Sequence, residues 1–450
     1  MITNNHQYKD HFKKTFFLAY PVMLSQMGHI LTGLADSVMV GHIGAIPLAA
    51  ASLAHGIFAV IMVFGIGVTF GVTPLVASEA GSESKLESSL LSNSLVVNMA
   101  TGLLLFLILF FISPAFHFLN QPTEVVEMAI PYFNILLFSL IPLLYFQTYK
   151  QFAEGLSFTK MAMIVSLSGN IFNIILNYIL IYGKLSFPAL GLNGAGYATL
   201  IARILMGISI AVYVLKSSSF KDHDTKFHFS KIKSALLKRI AKIGIPIGMQ
   251  FTIEVGAFAF AAIMIGWIGT QPLAAHQIAL SLAAFTYMMA SGISAATTVR
   301  VGNALGRKDF TGLKYAGNTA FIMVLIFMSC CALLFIAGNN FLPQLFIENP
   351  EVINIASMLI IIAAFFQLSD GLQVVVLGAL RGLHDVNWPT IITIVAYWII
   401  ALPLGYLLGF IFDMGSKGVW IGLLTGLTAA ASMLYIRFKY VSVIKFKTIN

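Results

Sequence analysis

Apolar stretches long enough to cross a bilayer recur along the whole chain, and that recurrence excludes most folds at once. They run approximately over residues 16–40, 47–75, 89–112, 128–150, 161–182, 192–215, 243–267, 273–299, 313–337, 352–380, 388–411 and 417–436. About 20 such residues carry a helix across roughly 30 Å of hydrocarbon. A transmembrane barrel would show segments of about ten residues alternating in polarity, and these runs do not alternate. With 58% of its 450 residues hydrophobic, 10% charged and a mean hydropathy of +0.90, the chain cannot wrap apolar cores in a polar surface. An ordinary soluble enzyme, a disordered chain and a disulfide scaffold are excluded. The two cysteines, Cys330 and Cys331, are neighbours within an apolar run and carry neither bridge nor metal-ligand spacing. An all-α integral membrane protein of about twelve spans is expected.

Lysine and arginine set the orientation. The amino-terminal head, with Lys9, Lys13 and Lys14, the even-numbered loops and the carboxyl tail hold 23 of the 26 basic residues. The opposite loops hold Lys184 and Lys417, and Arg203 lies within a span, its role left open. Positive residues stay on the cytoplasmic side, so both termini are expected there, in an inner or plasma membrane. The first span is too long for a signal's apolar region and lacks a cleavage site. A basic connector at 216–242 carries Lys216, Lys221, Lys226, Lys231, Lys233, Lys238, Arg239 and Lys242. Ile232, Leu236, Ile240 and Ile243 recur among them at helical spacing, which predicts an amphipathic helix on the inner leaflet. No recognition motif accompanies the charge, so no nucleic acid is expected.

A shift of 225 residues aligns MVGHIGAIPLAA at 39–50 with MIGWIGTQPLAA at 264–275, and sets Pro21 on Pro246, Gly67 on Gly292, Thr73 on Thr298 and Gly81 on Gly306. At a slightly different offset EGL at 154–156 faces RGL at 381–383. Each half therefore holds six spans, and an even number returns the chain to its starting side. Such repeats form two lobes related by a pseudo-twofold axis along the membrane normal. The expected organisation is an amino-terminal lobe, 1–215, the cytoplasmic linker, 216–242, and a carboxyl-terminal lobe, 243–450. Transporters built this way switch access by rocking their lobes. Channels more often gain symmetry by oligomerising short subunits, so a monomeric transporter is favoured.

Three acids lie well inside apolar spans: Asp36, Glu254 and Asp370. A charge at mid-bilayer costs several kcal/mol on insertion scales, of order 2.5–3.5 for Asp, so it needs a protein-lined or wet environment. On the fifth span Ser166, Asn170, Asn173 and Asn177 draw a polar stripe down one face; Gln250 precedes Glu254 by one turn; Gln367, Asp370 and Gln373 step by three. Amides also glue helices together without any transport role. Carboxylates without basic partners stay buried by taking up protons or by coordinating a small cation such as Na⁺ through oxygen. A cationic organic substrate can replace that charge, which is antiporter chemistry. Phe258, one turn beyond Glu254, offers a π face suited to a planar cation. No Walker loop or zincin spacing is present, and Gly65, Gly67 and Gly71 suit close helix packing. No enzyme activity and no cofactor beyond a coupling ion is expected.

The opening run PVMLSQMGHILTGLADSVMVGHIG, its half-chain echo, LNYILIYG at 176–183 and LRGLHD at 380–385 resemble the multidrug and toxic compound extrusion (MATE) transporters, and the trio Asp36, Glu254 and Asp370 is similar to their NorM-like branch. The resemblance implies twelve transmembrane helices in two six-helix lobes and export of organic cations in exchange for Na⁺ or H⁺. It implies an ion-coupling role for Asp36 with Asn173 and Asn177, and a cation site at Glu254 and Asp370 that can take Na⁺. Substrate contacts are implied for Phe258, Gln277 and Tyr287, with Asp36 and Asp370. Phe366 departs from the family pattern, which expects a tyrosine there, and removes one oxygen ligand for Na⁺. Small organic cations and membrane lipids are the expected partners. A lipid-linked precursor flippase is the alternative; it would be expected to line its cavity with bases, whereas here acids predominate in the spans. A receptor or scaffold fits poorly with the duplication.

Overall fold

The computed structural model describes residues 2–82, 89–119, 121–221, 223 and 225–447. The described residues form helices and turns, without strands. The first half contains α1 (Ile2–Gly41), α2 (Ala45–Thr69), α3 (Val72–Gly81), α4 (Leu90–Ile112), α5 (Thr123–Gly155), α6 (Thr159–Tyr182) and α7 (Gly191–Lys216). The second contains α8 (Ser234–Ile268), α9 (Thr270–Gly306), α10 (Phe310–Gly338), α11 (Phe341–Gln344), α12 (Pro350–Gly382), α13 (Asn387–Ile394), α14 (Leu402–Tyr406) and α15 (Gly415–Lys447). Eleven segments among the described residues are long and apolar enough to span a membrane; α2 with α3 is one, and α13 to Ile411 another. The twelfth expected span lies in α1, whose 40 residues are ample in length but are diluted by Gln26, His29 and Asp36.

Contacts divide the chain into two compact units: Leu24–Gly248, and Met1–Met23 with Met249–Asn450. The two dividing points are themselves 225 residues apart, so the units follow the period of the duplication. In the first unit α5 is central, packing against α2, α4 and α7 around Phe58, Phe116, Phe133 and Leu136. In the second α12 takes that place against α9, α10 and α15, around Phe366, Tyr397 and Trp420. Arg300 ties residues 1–23 into this unit by donating to His11 O at 2.7 Å and to Thr15 Oγ1.

The repeat extends to single hydrogen bonds. Thr73 Oγ1 donates to Gln151 O at 3.2 Å, and its counterpart Thr298 Oγ1 donates to Gly378 O at 2.9 Å. Both α5 and α12 end on a glycine followed by a left-handed residue, Ser157 (φ 70°) and His384 (φ 59°). The bonds Phe158 N–H to Ala153 O (2.9 Å) and Asp385 N–H to Leu380 O (3.0 Å) close these ends alike. The EGL and RGL tripeptides thus occupy the same turn, which is why the sequences stay in step there.

Glycine permits the closest approaches. A Cβ on Gly67 would lie 2.6 Å from Gly248 Cα, and one on Gly71 would lie 2.7 Å from Gly244 Cα. The repeat-related Gly292 would place a Cβ 2.8 Å from Met23 N. Backbone packing at this distance is what small residues contribute to membrane bundles.

The connector departs from the amphipathic helix that its periodicity predicts. Short 3₁₀ turns at Ser218–Phe220 and Phe229–Lys231 interrupt it, and regular helix resumes at Ser234 as the first turns of α8. Leu236, Ile240 and Ile243 are buried in protein, so their spacing served tertiary packing and not a leaflet. Asp222 and Asp224 of this connector lie outside the described residues.

Gly67→Ala is expected to cost roughly 1–3 kcal/mol by overpacking, whereas Gly33→Ala, with nothing within 4 Å of its new methyl, leaves stability unchanged. Thermal unfolding of the detergent-purified variants would compare the two; equal melting temperatures would contradict the close packing.

Candidate cation site

Several polar side chains of the second unit are buried on the facing helices α8 and α12. Gln250 and Glu254 project from α8, Gln367, Asp370 and Gln373 from α12, and all five are buried. Their i, i+3 and i, i+4 spacing puts each set on one helix face. The carboxylates of Glu254 and Asp370 are close enough to repel one another. Tyr397 joins them from a π-helical turn, Val395–Ala401, that follows α13. Its hydroxyl donates to Glu254 Oε1 at 3.3 Å and accepts from Gln373 Nε2 at 3.0 Å. Such turns shift side chains off the regular helical register and recur at functional sites.

Asp370 has no protein hydrogen bond among the described residues, and neither amide atom of the fully buried Gln367 has a partner. An unsatisfied buried amide is costly, so these oxygens suit an added donor or cation. Carboxylate and amide carbonyl oxygens are the ligand type a hard cation takes. No group of three or more His, Cys, Asp and Glu side chains suited to a metal occurs among the described residues.

Arg381 was missed by the sequence reading, because the tenth span was ended one residue before it. It is buried in the last turn of α12 and attracts Glu254 electrostatically. It forms no ion pair with either acid. Its Nη2 donates to Gln250 Oε1 at 3.3 Å, and its guanidinium lies 4.8 Å over the Phe251 ring. Its place opposite Glu154 in the repeat was the signal that could have exposed it.

Phe258 packs edge-on against Phe366 (6.1 Å) and Tyr397 (5.9 Å). Phe366 is buried between Phe258 and Trp420, and the phenol that meets Glu254 belongs to Tyr397, a second residue not anticipated. Tyr287, partly buried on α9, lies within electrostatic reach of Glu254, Asp370 and Arg381. Gln277 sits apart, on the exposed side of α9, with no hydrogen bond to this cluster.

In the first unit Asn177 Nδ2 donates to Asp36 Oδ1. With its amide nitrogen turned to the same oxygen, Asn173 donates at 3.1 Å while its carbonyl accepts from Thr199 N–H at 3.3 Å. The asparagine stripe thus meets the acid. Ser166 instead closes on its own helix, donating to Ala162 O at 2.8 Å. Arg203 donates to Ser139 Oγ at 2.6 Å and lies over Phe58 at 5.7 Å, attracted to Asp36 without pairing with it. Lys150 and Glu154, unremarked in the sequence, form a buried pair at 3.8 Å.

The sequence model of the MatE family matches residues 21–179 and again 246–407, two copies beginning 225 residues apart. The chain belongs to the MatE family. Its MatE relatives include the multidrug resistance protein NorM of Photobacterium profundum, 33% identical over 97% of both chains, and the multidrug resistance protein MdtK of Photorhabdus laumondii, 33% identical over 94% of both. Among solved structures, a MATE protein in its bent conformation superposes with a TM-score of 0.89 at 22% identity, covering 98% of each chain. The MatE chain described here is accordingly a multi-pass membrane protein with the all-helical MATE fold.

Tyr397→Phe removes a donor from Glu254 and is expected to cost about 1–3 kcal/mol; Tyr406→Phe, at an exposed position, serves as control. A thermal shift for both variants or for neither would contradict the assignment of that hydrogen bond.

Proposed function

We propose that this protein is a secondary antiporter that exports organic cations in exchange for Na⁺ or H⁺ by alternating access of its two lobes. The observation that carries the reading is a charge imbalance. Two buried carboxylates, Glu254 and Asp370, share one buried base, Arg381, which is hydrogen-bonded to Gln250 and paired with neither acid. With both acids ionised the cluster is one charge short of neutrality, and a single monovalent cation balances it. Burial makes that balance compulsory, because hydrocarbon and protein solvate a lone charge poorly. The coupling ion and the cationic substrate are then successive answers to one requirement.

Glu254, Asp370 and the Gln367 carbonyl are the ligands for the coupling ion in this reading, and Phe258 and Tyr287 border the substrate. Asp36, held by Asn173 and Asn177, supplies a second coupling acid. The names of the NorM and MdtK relatives support drug export. The positive-inside pattern supports cytoplasmic termini in the plasma membrane. A flippase for pyrophosphate-linked lipids is less well supported, since Arg203 and Arg381 are both engaged by neighbouring side chains.

Uptake of a fluorescent cation into inverted vesicles should follow an imposed Na⁺ or H⁺ gradient. Asp36→Asn, Glu254→Gln and Asp370→Asn should each impair coupling without preventing insertion. Transport indifferent to both gradients, or undiminished in all three variants, would reject the proposal. Varying Na⁺ at fixed pH, then pH at fixed Na⁺, identifies the ion.

Arg381 provides a sharper test of the charge balance. Arg381→Gln leaves two acids without a base, so the cation should bind more tightly and leave more slowly. The expected outcome is a lower half-saturating concentration of the coupling ion together with a lower maximal rate. A higher half-saturating concentration would show that Arg381 organises the site instead of competing for it.

A further inference from the structure

The connector between the halves carries a feature that neither helix packing nor the transport reading uses. Phe229 is 81% exposed and Phe227 41% exposed, and their rings meet edge-to-face at 4.8 Å. Exposed apolar side chains on the spanning helices face lipid as a matter of course. These two lie outside the spans, in a polar, lysine-rich connector, where an exposed aromatic pair requires its own explanation.

The connector is held at a defined level. Phe220 is buried against Phe158 (4.8 Å) and Tyr213 (5.5 Å). Beyond it, Ser92 Oγ accepts His228 N–H at 3.2 Å, Asn93 Nδ2 donates to Lys231 O at 3.0 Å, and Asn93 Oδ1 accepts Lys233 N–H at 2.9 Å. Ser92 and Asn93 belong to the first turn of α4, where the apolar segment Leu90–Phe118 begins. Three hydrogen-bonding atoms of one helical turn therefore fix the residues flanking Phe229 at the edge of a spanning segment. Membrane surfaces hold amphipathic aromatic and basic groups at that level. Lys221 and Lys226 are exposed in the same connector, Lys226 directly beside Phe227 in the chain.

We infer that the Phe227–Phe229 pair and these lysines form a docking site for the anionic headgroup surface of the bilayer, with the rings inserted at the acyl boundary and the ammonium groups on lipid phosphates. The apolar pair would gain burial from any bilayer, whereas the lysines select negative lipid, by about fivefold for each. This site is independent of the antiport proposal, and its test does not involve transport.

Full-length Phe229→Trp protein would be placed in nanodiscs of phosphatidylcholine with phosphatidylglycerol, with brominated acyl chains on one lipid at a time. The contribution of residue 229 is the difference from unsubstituted protein in the same discs. Its fluorescence should be quenched by brominated chains, and more strongly at equal mole fraction when they are carried by phosphatidylglycerol. Replacing Lys221 and Lys226 together by Gln should abolish that preference while leaving quenching in place. Emission that stays water-like and unquenched would overturn the inference. So would equal quenching from both lipids in the unaltered connector, or shielding that arises only when a soluble protein is added.

Discussion

Hydrocarbon offers no hydrogen bonds and little screening, so every polar group carried into it must be answered from within the protein. Most of the structure follows from how completely that demand is met. Along most of the bundle it is met locally, by backbone bonds inside each helix and by serines and threonines that donate to the preceding turn, as Ser166 does to Ala162. Between helices it is met by donors aimed at carbonyls, such as Thr73 and Thr298. At Asp36 two asparagines share the task. Around Asp370 and Gln367 it is left incomplete among the described residues, and the proposed exchange of charge makes use of that gap.

The two halves handle buried charge differently. The first closes Lys150 on Glu154 at 3.8 Å, a neutral pair four residues apart on one helix. The second spreads two carboxylates and one guanidinium over α8 and α12, with Tyr397, Gln250 and Gln373 bonded among them. A pair that neutralises itself has no further use for a mobile ion; a cluster with an odd number of charges does. The duplicated frame therefore supports unequal chemistry, and the proposed cation site is the buried cluster in which two acids face a single base.

Much of this was legible in the sequence because it rests on periodicity. Run length gives the spans, and spacing puts Asn173 and Asn177 on one helix face, while their meeting with Asp36 was implied by the family resemblance. The 225-residue echo predicts positions that prove equivalent down to the threonine bonds. Gly67 and Gly71 were readable as packing residues, since glycine inside an apolar helix seldom has another use. What stayed hidden depends on partners distant along the chain. Tyr397 reaches Glu254 because a π-helical turn changes its direction, and a linear pattern carries no sign of that. Arg381 lay one residue past a boundary that hydropathy alone cannot draw. The helical spacing of Leu236, Ile240 and Ile243 was real, but it could not say whether protein or lipid would cover that face.

The matched ends of α5 and α12 have a further consequence. Both helices stop at the same glycine-leucine turn, and the residue just ahead of that turn is buried in each, as an acid in one half and a base in the other. The turn tolerates either sign without altering its hydrogen bonds. The sign of this one buried charge is thus set independently of the architecture around it: the same stop stands whether the side chain is neutralised on its own helix, as Glu154 is by Lys150, or reaches across to a neighbouring one, as Arg381 does to Gln250.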